Sequence, residues 1–223
     1  MIGIDKRLQT IAGFVTCKSY TVDVGTDHGY LAIYLIESGR SQRVVATDVG
    51  EMPLKSAKHN IAEHGLGERI DTLLTDGLSG VDLQDVTDIV IAGMGGILIS
   101  DILEARHPLK GKNLVLQPMT QAGRLRQWLC QNGYDILEEV PAFVGEKAYC
   151  VIRAQYDGIV RPCDDLFWLI GKIPQSSSED VDRYLSYIKR KLLKKAEGLR
   201  KSQKGKEELN RTLDLVDKVG RKR

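Results

Sequence analysis

Short apolar runs closed by turn residues alternate with helix-period segments through the first 155 residues, and this alternation constrains the fold more than any other feature. Candidate strands are Thr21–Gly25, Arg43–Asp48, Ile70–Asp76, Asp88–Gly93, Asn113–Gln117, Tyr134–Val140 and Ala148–Gln155. Tyr30–Ser38, Pro53–His64, Gly96–Arg106 and Thr120–Asn132 carry helical spacing between them, and Asp5–Val15 leads the series. Strands buried on both faces need crossovers of this kind, so the pattern predicts an α/β fold with a parallel sheet covered on both sides. Only seven residues, Pro141 to Lys147, separate the last two strands. That is too short for a helical crossover, so these two pair as a hairpin and leave one antiparallel strand in the sheet.

Past Arg161 the pattern changes. Ser176 and Glu179 form a candidate capping box, after which Val181, Leu185, Ile188, Leu192, Ala196 and Leu199 recur at helical spacing. Leu209, Leu213, Val216 and Val219 make a second stripe beyond a Lys204-Gly205 turn. Two such helices form an antiparallel hairpin whose stripes cover one another. The expected division is therefore residues 1–160 for the α/β domain and 161–223 for a helical one.

Charge follows the same division. From Arg183 onward there are 15 Lys+Arg against 5 Asp+Glu, a balance of +10, and the remainder holds 17 against 25, a balance of −8. An acidic body with a basic tail points to a polyanionic partner. The longest nearly unbroken apolar stretch, Ile89 to Ile99, is 11 residues, too short to span a bilayer. The opening residues lack the apolar core of a signal peptide. Cys17, Cys130, Cys150 and Cys163 form no C-x-x-C pair and have no adjacent histidine, so neither a metal site nor a disulfide framework is expected. Reduced thiols in the cytoplasm are the consistent setting. Oligomeric state is not legible, and a monomer suffices.

In a doubly wound sheet, ligands bind beyond the carboxyl ends of the strands. The first strand ends in Asp23-Val24-Gly25-Thr26-Asp27-His28-Gly29, where Gly25 permits a sharp turn and Gly29 a close approach to a helix start. Asp27 stands where a dinucleotide fingerprint needs glycine, so a pyrophosphate would meet a carboxylate. A cationic ligand suits this loop better, and S-adenosyl-L-methionine carries both a sulfonium and an ammonium. Asp48 ends the second strand, 23 positions after Gly25, where a carboxylate can accept from ribose hydroxyls. Asp76-Gly77 ends the third, where adenine contacts are expected. The fourth ends in Ala92-Gly93-Met94-Gly95-Gly96, which leaves room for a flat ring beside a methyl donor. There is no [DN]-P-P-Y motif of exocyclic-amine methylases.

DVGTDHGYLAIYL, Asp48 followed by Pro53, Ser56 and Ala57, TDGL, AGMGG and LVLQP together resemble the bacterial TrmK family, the tRNA (adenine N1)-methyltransferases acting at position 22. The resemblance runs from Asp5 to about Arg153. It implies a Rossmann-like class I methyltransferase sheet with a C-terminal coiled-coil hairpin, S-adenosyl-L-methionine as cofactor, tRNA as partner, and neither metal nor membrane. Asp27, Met94 and Gly95 are then the expected reaction residues. Asp23, Gly25, Thr26, His28, Gly29, Tyr30, Leu31, Asp48, Val49, Pro53, Asp76, Gly77, Ala92 and Gly93 are expected around the cofactor. Arg7, Gln117, Lys189, Arg190, Lys191, Lys194 and Lys195 are expected to meet the RNA. Three positions depart from the family pattern: Asp48 stands for the expected Glu, Met52 for Gly, and Met119 for Asn. Methylation of another RNA position, and non-catalytic sensing of an adenosyl ligand by an RNA-binding protein, are the alternatives.

Overall fold

Seven strands hydrogen-bond in the order β3-β2-β1-β4-β5-β7-β6 in the computed structural model, which describes residues 1–202 and 205–221. The strands are β1 (Ser19–Val24), β2 (Ser41–Asp48), β3 (Ile70–Leu74), β4 (Asp88–Gly95), β5 (Asn113–Thr120), β6 (Tyr134–Val144) and β7 (Lys147–Tyr156). The first five are parallel, and β7 runs antiparallel to both β5 and β6. The hairpin is tighter than the sequence suggests, because both strands extend until only Gly145 and Glu146 remain in the turn. The second strand of that hairpin returns alongside β5 and leaves β6 at the edge.

Alternate residues of each strand face opposite sides of a sheet, and the core divides accordingly. Val22, Ile89, Ile91, Leu114 and Leu116 pack with α4 (Gly96–Glu104) and α5 (Ala122–Gln131) on one face. Val44, Ala46, Val90, Val115 and Val151 pack on the other with α1 (Lys6–Phe14), α2 (Tyr30–Glu37) and α3 (Glu51–Glu63). Asp5 starts α1 by accepting from the Leu8 N–H at 2.8 Å.

A short helix, α6 (Asp165–Ile170), and a 3-10 turn lead to α7 (Val181–Ser202) and α8 (Lys206–Gly220). The predicted capping box does not form. Ser176 Oγ accepts from the Ser178 N–H at 3.3 Å, a local turn, and α7 begins five residues later at Val181. Lys204, placed in the connecting turn, lies outside the described residues. The stripe of α7 covers more than its partner helix. Tyr184, Leu185, Ile188 and Leu192 share a core with Val216 and Val219 of α8, and also with Phe143, Cys150, Ile170 and Ile173. The hairpin is therefore packed onto the end of the β6–β7 ribbon. A buried ion pair lies at that joint: Arg126 Nε donates to Glu139 at 2.9 Å, both side chains being almost inaccessible. Arg126 Nη1 also donates to the Trp168 and Leu169 carbonyls of α6. Burial is the strongest single influence and works against the Arg126 charge, but the Glu139 carboxylate with its hydrogen bond, together with Cys150 and Tyr184, outweighs it and holds the guanidinium above its ordinary range.

Candidate active site

Strand order reverses between β1 and β4, and a cavity of about 360 Å³ opens at the carboxyl ends of these two strands. Four segments line it. The β1–α2 loop contributes Asp23, Gly25, Thr26, Asp27, His28, Tyr30 and Leu31, β2 contributes Asp48, β4 contributes Ala92, Gly93 and Met94, and α1 contributes Arg7 and Leu8. Volumes of this size hold small-molecule ligands.

The loop is shaped by left-handed backbone. Gly25, Asp27 and Gly29 have φ of +76°, +51° and +75°, of which only the middle position carries a side chain, and aspartate tolerates that conformation best after asparagine and glycine. A Cβ at Gly25 would collide with the Met94 methyl group, so glycine is what allows β4's Met94 to lie across the β1 turn. Gly29 places the start of α2 beside the cavity. That helix has no side-chain cap, so its first-turn N–H groups are open to an anionic acceptor.

Three carboxylates converge here. Asp23 is 3% exposed and accepts from the Thr26 hydroxyl at 2.7 Å. Burial pushes its pKa up to about 6, against the Thr26 hydrogen bond and with a contribution from the Asp48 charge. Asp48 Oδ1 accepts from the Gly50 N–H at 2.8 Å, and its second oxygen is left for another donor. The Asp27 side chain is 71% exposed at the mouth, with Oδ2 3.7 Å from His28 Nε2. His28 in turn leans on α3, sharing a 2.8 Å hydrogen bond with Ser56 Oγ and stacking on Tyr30.

Behind Arg7 and Gly93, outside the cavity lining, Gln117 is fully buried and its Oε1 accepts from Arg7 Nη1 at 2.7 Å and from the Gly93 N–H at 3.3 Å. Its Nε2 reaches the Met119 sulfur at 3.6 Å. Arg7 also lies over the Tyr149 ring, 5.8 Å from its centre. One amide thereby ties α1, the glycine-rich end of β4 and the end of β5 together.

The expected residues do not all meet in this cavity. Val49 lies on the β2–α3 connection beyond Asp48 and is 69% exposed, and Pro53 lies in the first turn of α3, both outside the lining. Asp76 and Gly77 lie in the turn after β3, outside the lining; Gly77 carries φ +55° and packs against Ile102. Gly95 precedes α4 as its N-cap, one residue beyond Met94. Among the tail cations, Lys191 and Lys195 face a second cleft between the end of β5 and α7, while Lys189 Nζ lies close to Gly220 at the end of α8. Arg190 and Lys194 are exposed. Leu8 lines the cavity without having been anticipated; its only sequence signal is its place beside Arg7 on an amphipathic helix.

Among the described residues no helix is long and apolar enough to cross a membrane, and no group of three or more His, Cys, Asp or Glu could hold a metal ion.

A family model described as a methyltransferase domain matches residues 4–152. The tRNA (adenine(22)-N(1))-methyltransferase of Bacillus subtilis is 36% identical over 165 residues, covering 70% of this chain and 69% of the relative. The crystal structure of the B. subtilis m1A22 tRNA methyltransferase TrmK superposes with a TM-score of 0.83 at 27% identity, over 98% of this chain and 99% of that one. A Streptococcus pneumoniae protein provisionally assigned as a tRNA (m1A22) methyltransferase, solved with S-adenosyl-L-methionine, superposes at 0.81 with 32% identity over 99% of each chain. The match in sequence, the match over the whole fold and a carboxylate-lined cavity at the strand-order switch agree, and the chain belongs to the tRNA (adenine(22)-N1)-methyltransferase family.

Proposed function

We propose that this protein transfers a methyl group from S-adenosyl-L-methionine to N1 of the adenine at position 22 of tRNA, in the cytoplasm. The observation that carries the reading is the cavity at the β1–β4 switch, where three carboxylates face a space with a single cation, Arg7, already bound to Gln117. That donor set fits a ligand with two positive centres and repels a pyrophosphate. When bound, S-adenosyl-L-methionine supplies a methyl group on a sulfonium centre, and the positive charge passes with the methyl to the ring nitrogen. The chain's own residues bind and orient.

Asp48 accepts from the ribose hydroxyls with its free oxygen, flanked by Val49 and Pro53. The open N–H groups at Tyr30 and Leu31 receive the ligand's carboxylate, and the buried carboxylate of Asp23 balances its cationic end. Thr26, His28, Gly29, Ala92 and Gly93 shape the walls, and Asp76 and Gly77 border the adenine end. Met94 and Gly95 form the slot for the target base, with Arg7, held by the buried Gln117, at its edge. Asp27, at the mouth, accepts from the exocyclic amino group. Lys189, Arg190, Lys191, Lys194 and Lys195 supply phosphate contacts that the acidic body lacks. The α/β part, 1–160, carries the chemistry and 161–223 carries the helical RNA-binding part.

Two measurements test the cofactor end. Asp48→Ala should weaken S-adenosylhomocysteine binding by roughly 10–100-fold in calorimetry, the loss of one or two charge-assisted bonds. Unchanged affinity in a folded variant would remove Asp48 from the site. The second concerns pH. The folded-state pKa of Asp23, about 6, lies above its ordinary 3.8, so the folded protein binds the proton more tightly than the unfolded chain does. The cost of its buried charge is therefore fully present above about pH 6 and disappears below about pH 4. Asp23→Asn should stabilise the ligand-free protein by roughly 1–3 kcal/mol at pH 7.5, and the gain should vanish by pH 4. A gain independent of pH in urea denaturation would assign the effect to something other than this carboxylate.

A further inference from the structure

The second cleft, about 400 Å³, lies between the end of β5 and α7. Met119, Tyr149, Tyr187, Lys191 and Lys195 are among its walls. It continues the candidate active site through two contacts. Met119, 45% exposed, is held by the Gln117 amide that also binds Arg7 and the Gly93 N–H. Tyr149 carries the Arg7 guanidinium over its ring. At the far side, Tyr187 is half-buried with the Lys191 ammonium 5.0 Å from its ring centre. Lys195 is committed to Glu208 at 2.8 Å, which leaves Lys191 as the cation at the aromatic wall.

We propose that this cleft is a nucleotide subsite that takes the base next to the target adenine, stacked against Tyr187 and Tyr149 with Met119 beneath it, and its phosphate on Lys191. The inference rests on the reading of the protein as an adenine N1-methyltransferase. N1 is the acceptor of a Watson–Crick pair, so the target must leave its pair and stack before it can react. Its neighbour then loses a stacking partner, and an aromatic wall one step from the reaction pocket replaces it irrespective of sequence. The occupant is RNA because the wall pairs π faces with a cation on a strongly basic helix, the combination that tracks a single strand.

The test is equilibrium binding of an in vitro transcribed tRNA, followed by fluorescence anisotropy across a salt series. Tyr187→Leu keeps the bulk but loses the ring, and should weaken tRNA binding about tenfold, while Tyr187→Phe stays within about twofold of the unmodified protein. Lys191→Ala, at an exposed position, should make the logarithmic salt slope shallower by about 0.7–0.9. Both variants should bind S-adenosylhomocysteine as the unmodified protein does. Wild-type tRNA affinity in Tyr187→Leu, or an equal loss in the Phe and Leu variants, overturns the stacking role. Should Tyr187→Leu lose S-adenosylhomocysteine binding through misfolding, Lys191→Ala decides, and an unchanged slope overturns the proposal. Because binding is measured directly, a protein that binds tRNA through this cleft yet leaves adenine 22 unmethylated would refute the reaction assignment and leave the subsite standing.

Discussion

Asp27→Ala is expected to slow single-turnover methyl transfer to tRNA by about 100-fold while changing cofactor affinity by less than about threefold. The carboxylate stands at the mouth of the cavity, 71% exposed, on a backbone turned left-handed between two left-handed glycines. Its position commits it to what enters from outside more than to what lies within. As the adenine ring gains positive charge, its amino hydrogens become better donors, and a fixed carboxylate stabilises the transition state more than the neutral ground state. Alanine at φ +51° also strains the turn. Asp27→Asn separates the two effects, since asparagine accepts that backbone conformation but carries no charge. An Asn variant that is also slowed at least about tenfold identifies the charge as the active feature. Single-turnover rates near wild type in the folded Ala variant would reduce Asp27 to a turn residue.

The second large effect lies away from the chemistry. Arg126→Ala should destabilise the protein by about 3–5 kcal/mol in urea denaturation, because it strands Glu139 as an unpaired buried charge. It also releases the Trp168 and Leu169 carbonyls that the same guanidinium holds. Replacing both partners with apolar residues, Arg126→Met with Glu139→Leu, should recover most of the loss, since an apolar pair needs no compensation. A cost below about 1 kcal/mol for Arg126→Ala would show that the joint admits water. The same joint argues against cutting the hairpin away to test its role. Removal from Ser176 onward would bare Phe143, Cys150, Ile170 and Ile173, which share a core with α7 and α8. Substitution of exposed lysines is the cleaner test.

Much of the site is legible in the sequence because its residue types are conspicuous at strand ends. Gly25 and Gly29 mark a turn, Asp27 stands where a dinucleotide fingerprint needs glycine, and Asp48 follows at a separation set by one helix and one strand. All of these lie in local segments at the carboxyl ends of the neighbouring strands β1 and β2. The rest depends on contacts across long separations. Arg7 meets Gln117 across 110 positions, and nothing local to either residue specifies that bond. The Arg126–Glu139 pair was illegible for a related reason: single charges within amphipathic segments read as surface positions until the hairpin that covers them is placed. Charge composition located the basic tail but not its direction, since helix phase and packing turn Lys189 toward α8 and Lys191 toward the cleft. The Ser176 box failed because Ser178 and Asp180 continue the turn, Ser178 Oγ accepting from the Asp180 N–H at 3.2 Å, before any helix begins.

The proposed reaction yields one product at one position of the tRNA. The deciding measurement is nucleoside mass spectrometry of a tRNA transcript incubated with the intact 223-residue chain and S-adenosyl-L-methionine, run beside an otherwise identical transcript carrying guanine at position 22. 1-Methyladenosine is expected in the first transcript, mapped to position 22 by fragmentation, and none in the second. Methylation that persists in the substituted transcript, a methyl group on another atom, or no transfer by a protein that binds both cofactor and tRNA would contradict the proposed reaction.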